Sequence, residues 1–357
     1  MNSVISQPIK FSAKLSDYNY VLPRGLIAQK PLENREDARL LILYRGTGRI
    51  EHRTFHEITD YLYPGDLLVL NNTRVMPASI PGKRISGAFL ELLLTEEIGE
   101  GRWKALIKSN ARLKIGEEIY TENNTIPVRL LDKAGDGSWL IEFDKKNDVK
   151  EILDCIGKMP LPPYIKRNIH EDSSPLDKER YQTVFAQKEG AIAAPTAGLH
   201  FSQKTLEKIK RHGVEIEFVT LHVGVGTFLP IKTDDIRGHS MHKEYYECSP
   251  GIIQKIRKTR EQNRRVVAVG STSCRVLETI AMTGKTPQFS GWTNLFIYPP
   301  CIFQYVDVLV TNFHLPKTTL LLLVCAFAGR ENIMNAYETA KDKGYRFFSY
   351  GDCMMII

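Results

Sequence analysis

The chain has 357 residues, 43% hydrophobic and 25% charged, with 48 Lys and Arg against 41 Asp and Glu for a formal net charge of +7. These are ordinary values for globular proteins, so they exclude a disordered or collagen-like chain, and the length predicts about two domains. The longest apolar run, residues 320–328, is far shorter than the ~18 residues of a membrane span. The mild basic excess is compatible with a polyanionic partner but does not require one.

The N-terminal residues contain no apolar segment of the kind found in secretion signals, so a cytoplasmic location is expected. Six cysteines are scattered along the chain without a C-x-x-C pair, which argues against a zinc ribbon or a thioredoxin-type site. We expect free thiols that pack as small hydrophobic groups at Cys155, Cys248, Cys274, Cys301, Cys325 and Cys353.

Short β segments dominate residues 62–150, where they follow one another about every ten residues between clusters of Gly, Asn and Asp. Such even spacing is typical of a small all-β barrel or sandwich. Positive and negative side chains balance in this segment, so the basic excess lies in the rest of the chain. Residues 1–61 and 151–357 are then expected to form a discontinuous second domain, into which the β segment is inserted.

Helices and strands alternate after residue 190, which predicts an α/β domain with a mostly parallel sheet. Strands are expected over 214–223, 264–270, 294–300 and 306–313. Helices are expected over 202–212, 251–265 and 271–281 and, as one long helix, over 318–343.

The segment PTAGLHF, residues 195–201, presents Thr196, Gly198 and His200 just before a helix start. Pro and Gly make a stiff turn, so a helix-entry loop explains this pattern at least as well as a functional site does.

A strand runs into the glycines of LHVGVGTFLP, residues 221–230. A dinucleotide-binding fingerprint needs a helix directly after its glycines, and Pro230 opposes that helix. Gly224 and Gly226 therefore fit better as positions where a ligand or another backbone approaches closely.

Histidines cluster in GHSMHKE, residues 238–244, with His222 upstream. The spacing matches no standard zinc pattern and no cysteine is near, so metal binding is disfavoured. His242 and Glu244 fit a general acid/base pair or a grip on ligand hydroxyls better. A solvated polar loop is the plain alternative.

The segment GSTSCRVLE, residues 270–278, lies between a buried strand and a helix. Free N–H groups and the helix dipole make such a helix start a site for an anion, and Thr272, Ser273 and Arg275 add hydrogen-bond donors. A well-capped helix with an exposed arginine explains the same residues equally well.

Three further segments, NNTRVMP, TNFHLPKTTL and SYGDCM, place polar or aromatic side chains where strands begin or end, although a turn explains each of them in isolation. Their candidate residues are Asn72, Arg74, Asn312, Phe313, His314, Tyr350 and Asp352.

Ten segments in one order closely resemble the S-adenosylmethionine:tRNA ribosyltransferase-isomerases, a family of queuosine-pathway enzymes. The resemblance runs from about Asp17 to the end of the sequence. It is carried by LIAQKPLENREDARLL, LLVLNNTRVMPA, MPLPPYI, YQTVFA, AAPTAGLHF, HVGVGTF, GHSMHKE, VGSTSCRVLE, TNFHLPKTTLLLLVCAFAG and FFSYGDCM.

This resemblance implies an α/β catalytic domain with an inserted antiparallel β-barrel domain. It implies that the ribosyl moiety of S-adenosylmethionine is transferred and isomerised onto 7-aminomethyl-7-deazaguanine at the wobble position of tRNA, giving epoxyqueuosine in tRNA, adenine and methionine. S-adenosylmethionine is then a consumed co-substrate, and no metal or other cofactor is expected. The family is usually monomeric, so neither an obligate protein partner nor a membrane is expected.

Such chemistry needs a base near C5′ of the ribose, a proton donor for adenine, a grip on the methionine carboxylate and a water-poor pocket. Within the matched segments, the acid/base candidates are His200, His222, His242 and Glu244. The candidates for holding an anionic group are Thr272, Ser273 and Arg275, and those for adenine or ribose are Asn312 and His314. The candidates for a cation–π contact with the sulfonium are Phe228, Phe313 and Tyr350.

The resemblance also implies an anticodon loop whose target base is splayed out and whose phosphates are followed by Lys and Arg. The candidates are Lys166 and Arg167, together with Lys255, Arg257, Lys258, Arg260, Arg264 and Arg265 on and after a basic helix. A solvated helix face explains the second group equally well. The apolar stretch Cys301-Ile302-Phe303 stands where the family is expected to be more polar, which changes any contact made there.

Three other functions remain open from the residues alone. An ordinary tRNA methyltransferase would use the same cofactor, and the missing glycine-to-helix fingerprint counts against it. A non-catalytic tRNA-binding protein would suit the net charge, but it would not need three histidine-bearing segments at strand ends. A metal-dependent hydrolase would require bound zinc.

Overall fold

The computed structural model describes residues 11–121, 126–167, 175–224, 226, 230–284 and 286–357. In these ranges the strands are β1 (Arg39–Tyr44), β2 (Arg49–Thr54), β3 (Leu67–Asn71), β4 (Thr73–Val75), β5 (Ser79–Arg84), β6 (Phe89–Gly99), β7 (Arg102–Ser109), β8 (Glu118–Thr121), β9 (Pro127–Lys133), β10 (Trp139–Phe143), β11 (Lys188–Ala191), β12 (Glu215–Leu221), β13 (Glu244–Cys248), β14 (Val266–Val269), β15 (Ser290–Thr293), β16 (Val308–Asn312) and β17 (Cys353–Ile356).

The α-helices are α1 (Val149–Ile156), α2 (Pro175–Arg180), α3 (Gln203–Arg211), α4 (Ile252–Glu261), α5 (Gly270–Met282), α6 (Thr319–Ala328) and α7 (Arg330–Asp342). Short 3₁₀ helices cover Leu15–Tyr18, Arg24–Leu26, Arg35–Asp37, Phe55–Tyr61, Thr196–His200 and Ile236–Gly238. No helix within the described ranges is long and apolar enough to cross a membrane.

A nine-stranded mixed sheet has the order β15-β13-β12-β3-β14-β16-β17-β1-β2. Its centre consists of four neighbouring parallel strands, β12, β3, β14 and β16. The sequences of three of these strands, LLVLN, VVAV and VLVTN, are buried along their whole length, as expected for parallel strands covered on both faces. This confirms the α/β class predicted from the alternating pattern.

The second sheet is a closed antiparallel barrel of the order β10-β7-β6-β5-β8-β9. Alternating side chains of these strands fill its core, which includes Leu92, Trp103 and Ile141. The barrel alternative therefore holds over the sandwich, because pairing of β9 with β10 closes the sheet.

The described residues form two compact units. One comprises the described residues up to Thr73, 183–188 and everything described from Ala194 onward, and the other comprises 74–182 and 189–193. Strand β3 lies inside the segment 62–150, yet it belongs to the large sheet rather than to the barrel. Its sequence signal is a fully apolar run, which suits a central parallel strand better than a barrel strand with one face exposed.

Three helices match the sequence expectations, since α3 and α4 fall within the predicted ranges and α5 extends one residue beyond its predicted range at each end. Ser202 caps α3 by accepting a hydrogen bond from the Thr205 N–H. Two other predictions are wrong. The long helix over 318–343 is divided into α6 and α7 at Gly329, whose φ of 82° lies outside the helical region. No strand forms over 294–300, and the strand in this part of the chain is β15 instead.

Asp66 lies directly before β3 and is fully buried. Its carboxylate accepts hydrogen bonds from the backbone N–H groups of Tyr63 and Arg265 and from the Arg265 guanidinium at 2.6 Å. It therefore connects the starts of the neighbouring strands β3 and β14.

We expect Asp66→Asn to lower the free energy of unfolding by about 2 kcal/mol, because the amide loses the charge and one accepting oxygen while the buried donors remain. For a unit of this size the melting temperature then falls by roughly 4–8 °C. Thermal unfolding followed by circular dichroism measures it. The control is Asp60→Asn at an exposed position. Equal melting temperatures for the two variants would contradict this role of Asp66.

Candidate active site

Most of the candidate site residues predicted from the sequence lie at the carboxyl edge of the large sheet. The parallel strands β12, β3, β14 and β16 all end there, followed by His222, Asn72, Gly270 and Phe313. Strands β13 and β17 run antiparallel to their neighbours β12 and β16, so they begin at this edge, next to Glu244 and Asp352. The carboxyl ends of parallel strands are where open α/β sheets bind ligands.

Helix α5 begins at this edge, directly after β14, without a side-chain cap. Gly270, with φ of 86°, makes the sharp turn from strand to helix. Thr272 and Ser273 follow in the first turn, and the hydroxyl oxygen of each is buried without a hydrogen-bond partner among the described residues. Buried hydroxyls beside free helix N–H groups fit an anionic ligand group.

Arg275 and Glu244 form a buried ion pair across this edge. The other carboxylate oxygen of Glu244 accepts the Gly224 N–H at 2.9 Å, and the Arg275 Nε donates to the Leu295 carbonyl at 3.0 Å. The pair therefore holds the start of the loop after β12 against α5. Both carboxylate oxygens of Glu244 are engaged in these contacts. Glu244 therefore positions Arg275 and the Gly224 backbone and is not free to act as a general base.

One nitrogen of Arg275 remains available to a ligand. Its Nη2 atom is buried and has no partner within the described ranges. A guanidinium held through its other two nitrogens and open at the third is preorganised to bind a carboxylate or phosphate. This agrees with the anion-binding role predicted from the sequence.

His200 is buried beside Asn312 and Asp352. Burial lowers the pKa of His200 to about 4, although the neighbouring Asp352 carboxylate and Asn312 amide favour the charged form. The imidazole is therefore neutral at pH 7. The His200 and Asn312 side chains lie close enough for a side-chain hydrogen bond between them to favour the charged imidazole. The His200 Nε2 and the Asn312 Oδ1 make no hydrogen bond of ordinary geometry with a described residue, whereas the Asn312 Nδ2 donates to the Phe348 carbonyl at 2.9 Å.

His222 is held by a residue that the sequence analysis missed. Its Nδ1 lies 2.8 Å from the Thr73 hydroxyl, and its ring stacks on Tyr245 with centroids 5.9 Å apart. Burial and the positive charge of Lys188 lower the pKa of His222. The NNTR motif does contain Thr73, but its role depends on the pairing of β3 with β12, which no local pattern reveals.

His242 is exposed and lies against Gly226. A Cβ atom added at Gly226 would lie only 2.7–2.8 Å from three atoms of the His242 side chain, so a larger residue there would displace that side chain. The spatial neighbour of the second glycine in GVG is thus a histidine of GHSMHKE. Phe228, which follows these glycines, lies outside the described residues.

Several candidates have structural contacts instead of facing a ligand. Phe313 is fully buried and packs on Tyr337 and Phe347, which corrects its assignment to a sulfonium contact. His314 bonds to the Thr311 hydroxyl at 2.8 Å, and burial lowers its pKa to about 3. The side chains of Phe313 and His314 are therefore part of the buried core next to the carboxyl edge.

Asp352 likewise connects chain segments. It accepts hydrogen bonds from the Arg39 and Arg346 N–H groups at 3.1 and 2.8 Å and from the Arg346 guanidinium at 3.3 Å. Tyr350, two residues before Asp352, is also buried. Asp352 thus fixes the start of β1 to the loop before β17, and it also contributes negative charge near His200.

The remaining small-molecule candidates are distributed as follows. Asn72 accepts a hydrogen bond from the Thr220 hydroxyl at 2.7 Å. Thr196 begins a 3₁₀ helix, in which a Cβ atom at Gly198 would lie 2.9 Å from Thr183. Arg74 belongs to the barrel-containing unit, where its exposed side chain lies 3.7 Å from Glu189.

The basic side chains of α4 lie away from this edge. Helix α4 leads into β14, so its last turn and Arg264 lie at the amino edge of the parallel strands. Lys255 pairs with Glu215 and Glu217, Arg260 with Asp307, and Arg265 with Asp66. Lys258 and Arg257 are exposed. In the other unit, Lys166 is exposed, and Arg167 makes a bidentate pair with the buried Asp177.

Two of the arginines predicted to contact RNA are paired with buried carboxylates. Arg167 and Arg265 already neutralise buried carboxylates, so neither presents an unengaged charge to a phosphate. Across the described ranges, no group of three or more His, Cys, Asp or Glu side chains is arranged to hold a metal ion.

We expect the stability of the wild-type protein to fall more steeply than that of His200→Gln as the pH is lowered from about 6.5 to about 4. Over this interval an unfolded histidine binds a proton that the buried His200, with its pKa lowered to about 4, does not bind. The extra loss approaches about 3 kcal/mol and levels off below the folded-state pKa. Chemical denaturation at several pH values measures it.

A control separates this effect from general acid sensitivity. His56→Gln replaces an exposed imidazole, so its curve should run parallel to that of the wild type. Parallel curves for His200→Gln as well would show that His200 is protonated equally in both states, contrary to its buried position.

Comparison with known proteins identifies the family. The family model described as "Queuosine biosynthesis protein" matches residues 15–356. Proteins named S-adenosylmethionine:tRNA ribosyltransferase-isomerase from Thermotoga petrophila and Clostridioides difficile are 48% and 47% identical over 344 and 345 residues, which is 96% of this chain and 100% and 99% of theirs. A crystal structure of S-adenosylmethionine tRNA ribosyltransferase from Thermotoga maritima has a TM-score of 0.55 and 39% identity, covering 96% of this chain and all of that one. The sequence resemblance is thereby confirmed, and the chain belongs to the queuosine biosynthesis protein family.

Proposed function

We propose that this chain is an S-adenosylmethionine:tRNA ribosyltransferase-isomerase. It transfers and isomerises the ribosyl moiety of S-adenosylmethionine onto 7-aminomethyl-7-deazaguanine at the tRNA wobble position, and it releases adenine and methionine. The observation that carries the proposal is the carboxyl edge of the large sheet. There, buried polar atoms of Thr272, Ser273 and Arg275 have no hydrogen-bond partner among the described residues, and the buried His200 and Asn312 are only weakly engaged with each other.

Such a set of atoms is costly in an empty protein interior. Each buried polar group without a partner destabilises the fold by about 1–3 kcal/mol. The cost is offset when a polar ligand supplies the missing hydrogen bonds. S-adenosylmethionine carries the groups this edge lacks: a carboxylate for donors, and ribose hydroxyls and adenine nitrogens for mixed donors and acceptors.

The start of α5 is the proposed carboxylate site. The hydroxyls of Thr272 and Ser273 and the open Nη2 of Arg275 donate to one anionic group, and the helix dipole adds a favourable field. The ion pair with Glu244 fixes the Arg275 guanidinium in place, so little side-chain entropy is lost on binding.

The acid/base steps are assigned to the histidines. The sulfonium acidifies the C5′ hydrogens of the ribose, and a neutral imidazole can accept such a proton without first losing its own. Burial keeps His200 neutral at pH 7 and lowers the pKa of His222 in the same direction. His242 is the exposed candidate, suited to protonate the departing adenine or to contact RNA.

The co-substrate and partners follow from this activity. S-adenosylmethionine is consumed, so the proposal includes no resident cofactor or metal. The macromolecular partner is tRNA with 7-aminomethyl-7-deazaguanine in the anticodon, and we place the enzyme in the cytoplasm as a monomer. The exposed Lys166, Arg257, Lys258 and Arg264 remain predictions for phosphate contacts.

A product assay tests the proposed reaction. The protein is incubated with S-adenosylmethionine and an anticodon stem-loop that contains 7-aminomethyl-7-deazaguanine. We expect adenine and methionine in equal amounts and an RNA heavier by the sugar fragment, all detected by mass spectrometry. S-adenosylhomocysteine with a methyl-sized mass increase would instead identify a methyltransferase. Binding of the RNA without any product would identify a binding protein.

The two glycines of GVG allow a matched test of His242. Gly226→Ala forces the His242 side chain to move, because the new methyl would lie 2.7–2.8 Å from it, whereas the methyl of Gly224→Ala meets no atom of the described residues within 4 Å. If His242 takes part in proton transfer, we expect adenine release to slow at least 10-fold in the first variant. The second should stay within about 2-fold of the wild type. Equal rates in both variants would remove His242 from the reaction.

A further inference from the structure

Three aromatic rings form a row across the sheet surface, starting at the candidate active site. His222 follows β12, Tyr245 lies on β13 and Trp292 on β15. The ring centroids of His222 and Tyr245 are 5.9 Å apart with planes inclined by 18°, and those of Tyr245 and Trp292 are 5.8 Å apart at 71°. Tyr245 and Trp292 are directly paired across the two strands. We call these three residues the aromatic row.

The aromatic row lies on the sheet face opposite α4, toward the β15 end of the sheet. Helix α3 packs on the central part of this face, where its Leu206 and Ile209 share a core cluster with Leu68 and Leu70 of β3. Glu215 and Glu217 of β12 pair with Lys255 of α4, so α4 covers the face on which these two residues lie. Alternation along the strand places Phe218 and His222 on the opposite face. Phe218 packs on Phe185 but is 36% exposed, and Trp292 is 59% exposed, so only the outer part of this face is open to solvent.

An exposed tryptophan on an edge strand has little value for folding. Trp292 lies on β15, the last strand of the nine-stranded sheet, and most of its surface is exposed to water. Exposed aromatic groups arranged on a sheet are typical of surfaces on which unpaired bases stack, since every base offers a flat π face. The aromatic row is such an arrangement of rings on a sheet, and its first ring, His222, lies at the candidate active site.

The inner end of the row is fixed, and its surroundings carry positive charge. The Thr73 hydroxyl holds the His222 ring at 2.8 Å. Lys188 is close enough to lower the pKa of His222, although it also pairs with Glu247. Lys243 is exposed and immediately precedes β13, where alternation places it on the same side as Tyr245. These cations complement the phosphates of a single strand lying across the face.

We propose that the aromatic row is the surface on which unpaired bases flanking the modified nucleotide of the anticodon loop stack. This rests on the proposed function, because it assigns the RNA partner of the same site. The modified base enters the carboxyl edge near His222, and a neighbouring base of the loop lies on Tyr245 and Trp292. The basic end of α4 is at the opposite edge of the sheet and does not take part.

Trp292→Ala tests the proposal through RNA affinity. We expect the dissociation constant for the anticodon stem-loop to rise about 5- to 150-fold, the range for loss of one stacked base. KM for the RNA should rise equally while kcat at saturating RNA stays within about 2-fold. Trp292→Phe keeps a stacking ring and should retain most of the affinity.

Tryptophan fluorescence gives a direct readout of stacking. The chain has three tryptophans, and Trp103 and Trp139 are each only 5% exposed in the barrel core. The stem-loop should therefore quench the solvent-exposed emission of the wild-type protein and leave that of Trp292→Ala almost unchanged. The matched control is Met282→Ala, which removes a large side chain, 67% exposed, at the far end of α5 and should leave binding and quenching unaltered.

The outcomes separate this inference from the proposed function. Wild-type turnover with unchanged RNA affinity and unchanged quenching in Trp292→Ala would overturn the stacking surface and leave the enzyme activity intact. Absence of both RNA binding and turnover in the wild type would overturn both. A concentration-dependent dimer that Trp292→Ala dissociates would assign the surface to a second copy of the chain and likewise overturn RNA stacking.

Discussion

Parallel pairing of β12, β3, β14 and β16 is the constraint on which the site depends. Four strands that run in one direction bring their last residues to one edge, although these residues are far apart in the sequence. The antiparallel neighbours β13 and β17 add the residues at their starts. Each strand alone contributes one or two polar groups. Only their common direction brings those groups together at the edge of the sheet where open α/β sheets bind ligands.

The polar groups at this edge are stabilised by contacts that also limit what they can do. Glu244 holds the Arg275 guanidinium and the Gly224 backbone at once, so an acidic residue in a histidine-rich segment serves as a support. Asp352 fixes two backbone segments and lies close enough to His200 to act on its charge state. Buried groups that are fully engaged keep the partly engaged ones in place, which is how a site stays preorganised for its ligand.

Charge and aromatic surface are separated in this molecule. Much of the basic character of α4 is either paired with acidic neighbours or located at the amino edge of the sheet. The solvent-exposed outer part of the opposite sheet face carries rings and only a few cations. In the function proposed above, this separation lets stacking select unpaired bases next to the reacting carbon, while phosphate contacts elsewhere add affinity without selecting a base.

The sequence by itself determined the kinds of elements and the segments that carry chemistry. Apolar runs and turn residues predict the buried strands and α3, α4 and α5 because these signals are local, and ten ordered motifs were enough to place the chain in its family. Local signals do not show which strands pair with each other. For this reason the sequence pattern places β3 in the barrel segment, although it is a central strand of the large sheet.

Tertiary structure alone decided which side chains meet. It paired Glu244 with Arg275, Thr73 with His222 and Arg265 with Asp66, each across a long stretch of chain. A partner at such a distance in sequence is selected by strand order and burial, and a charged group left unpaired in that interior would be too costly. The same long-range packing moved Phe313 into the core and left Trp292 exposed, although both are aromatic residues in strand-rich segments.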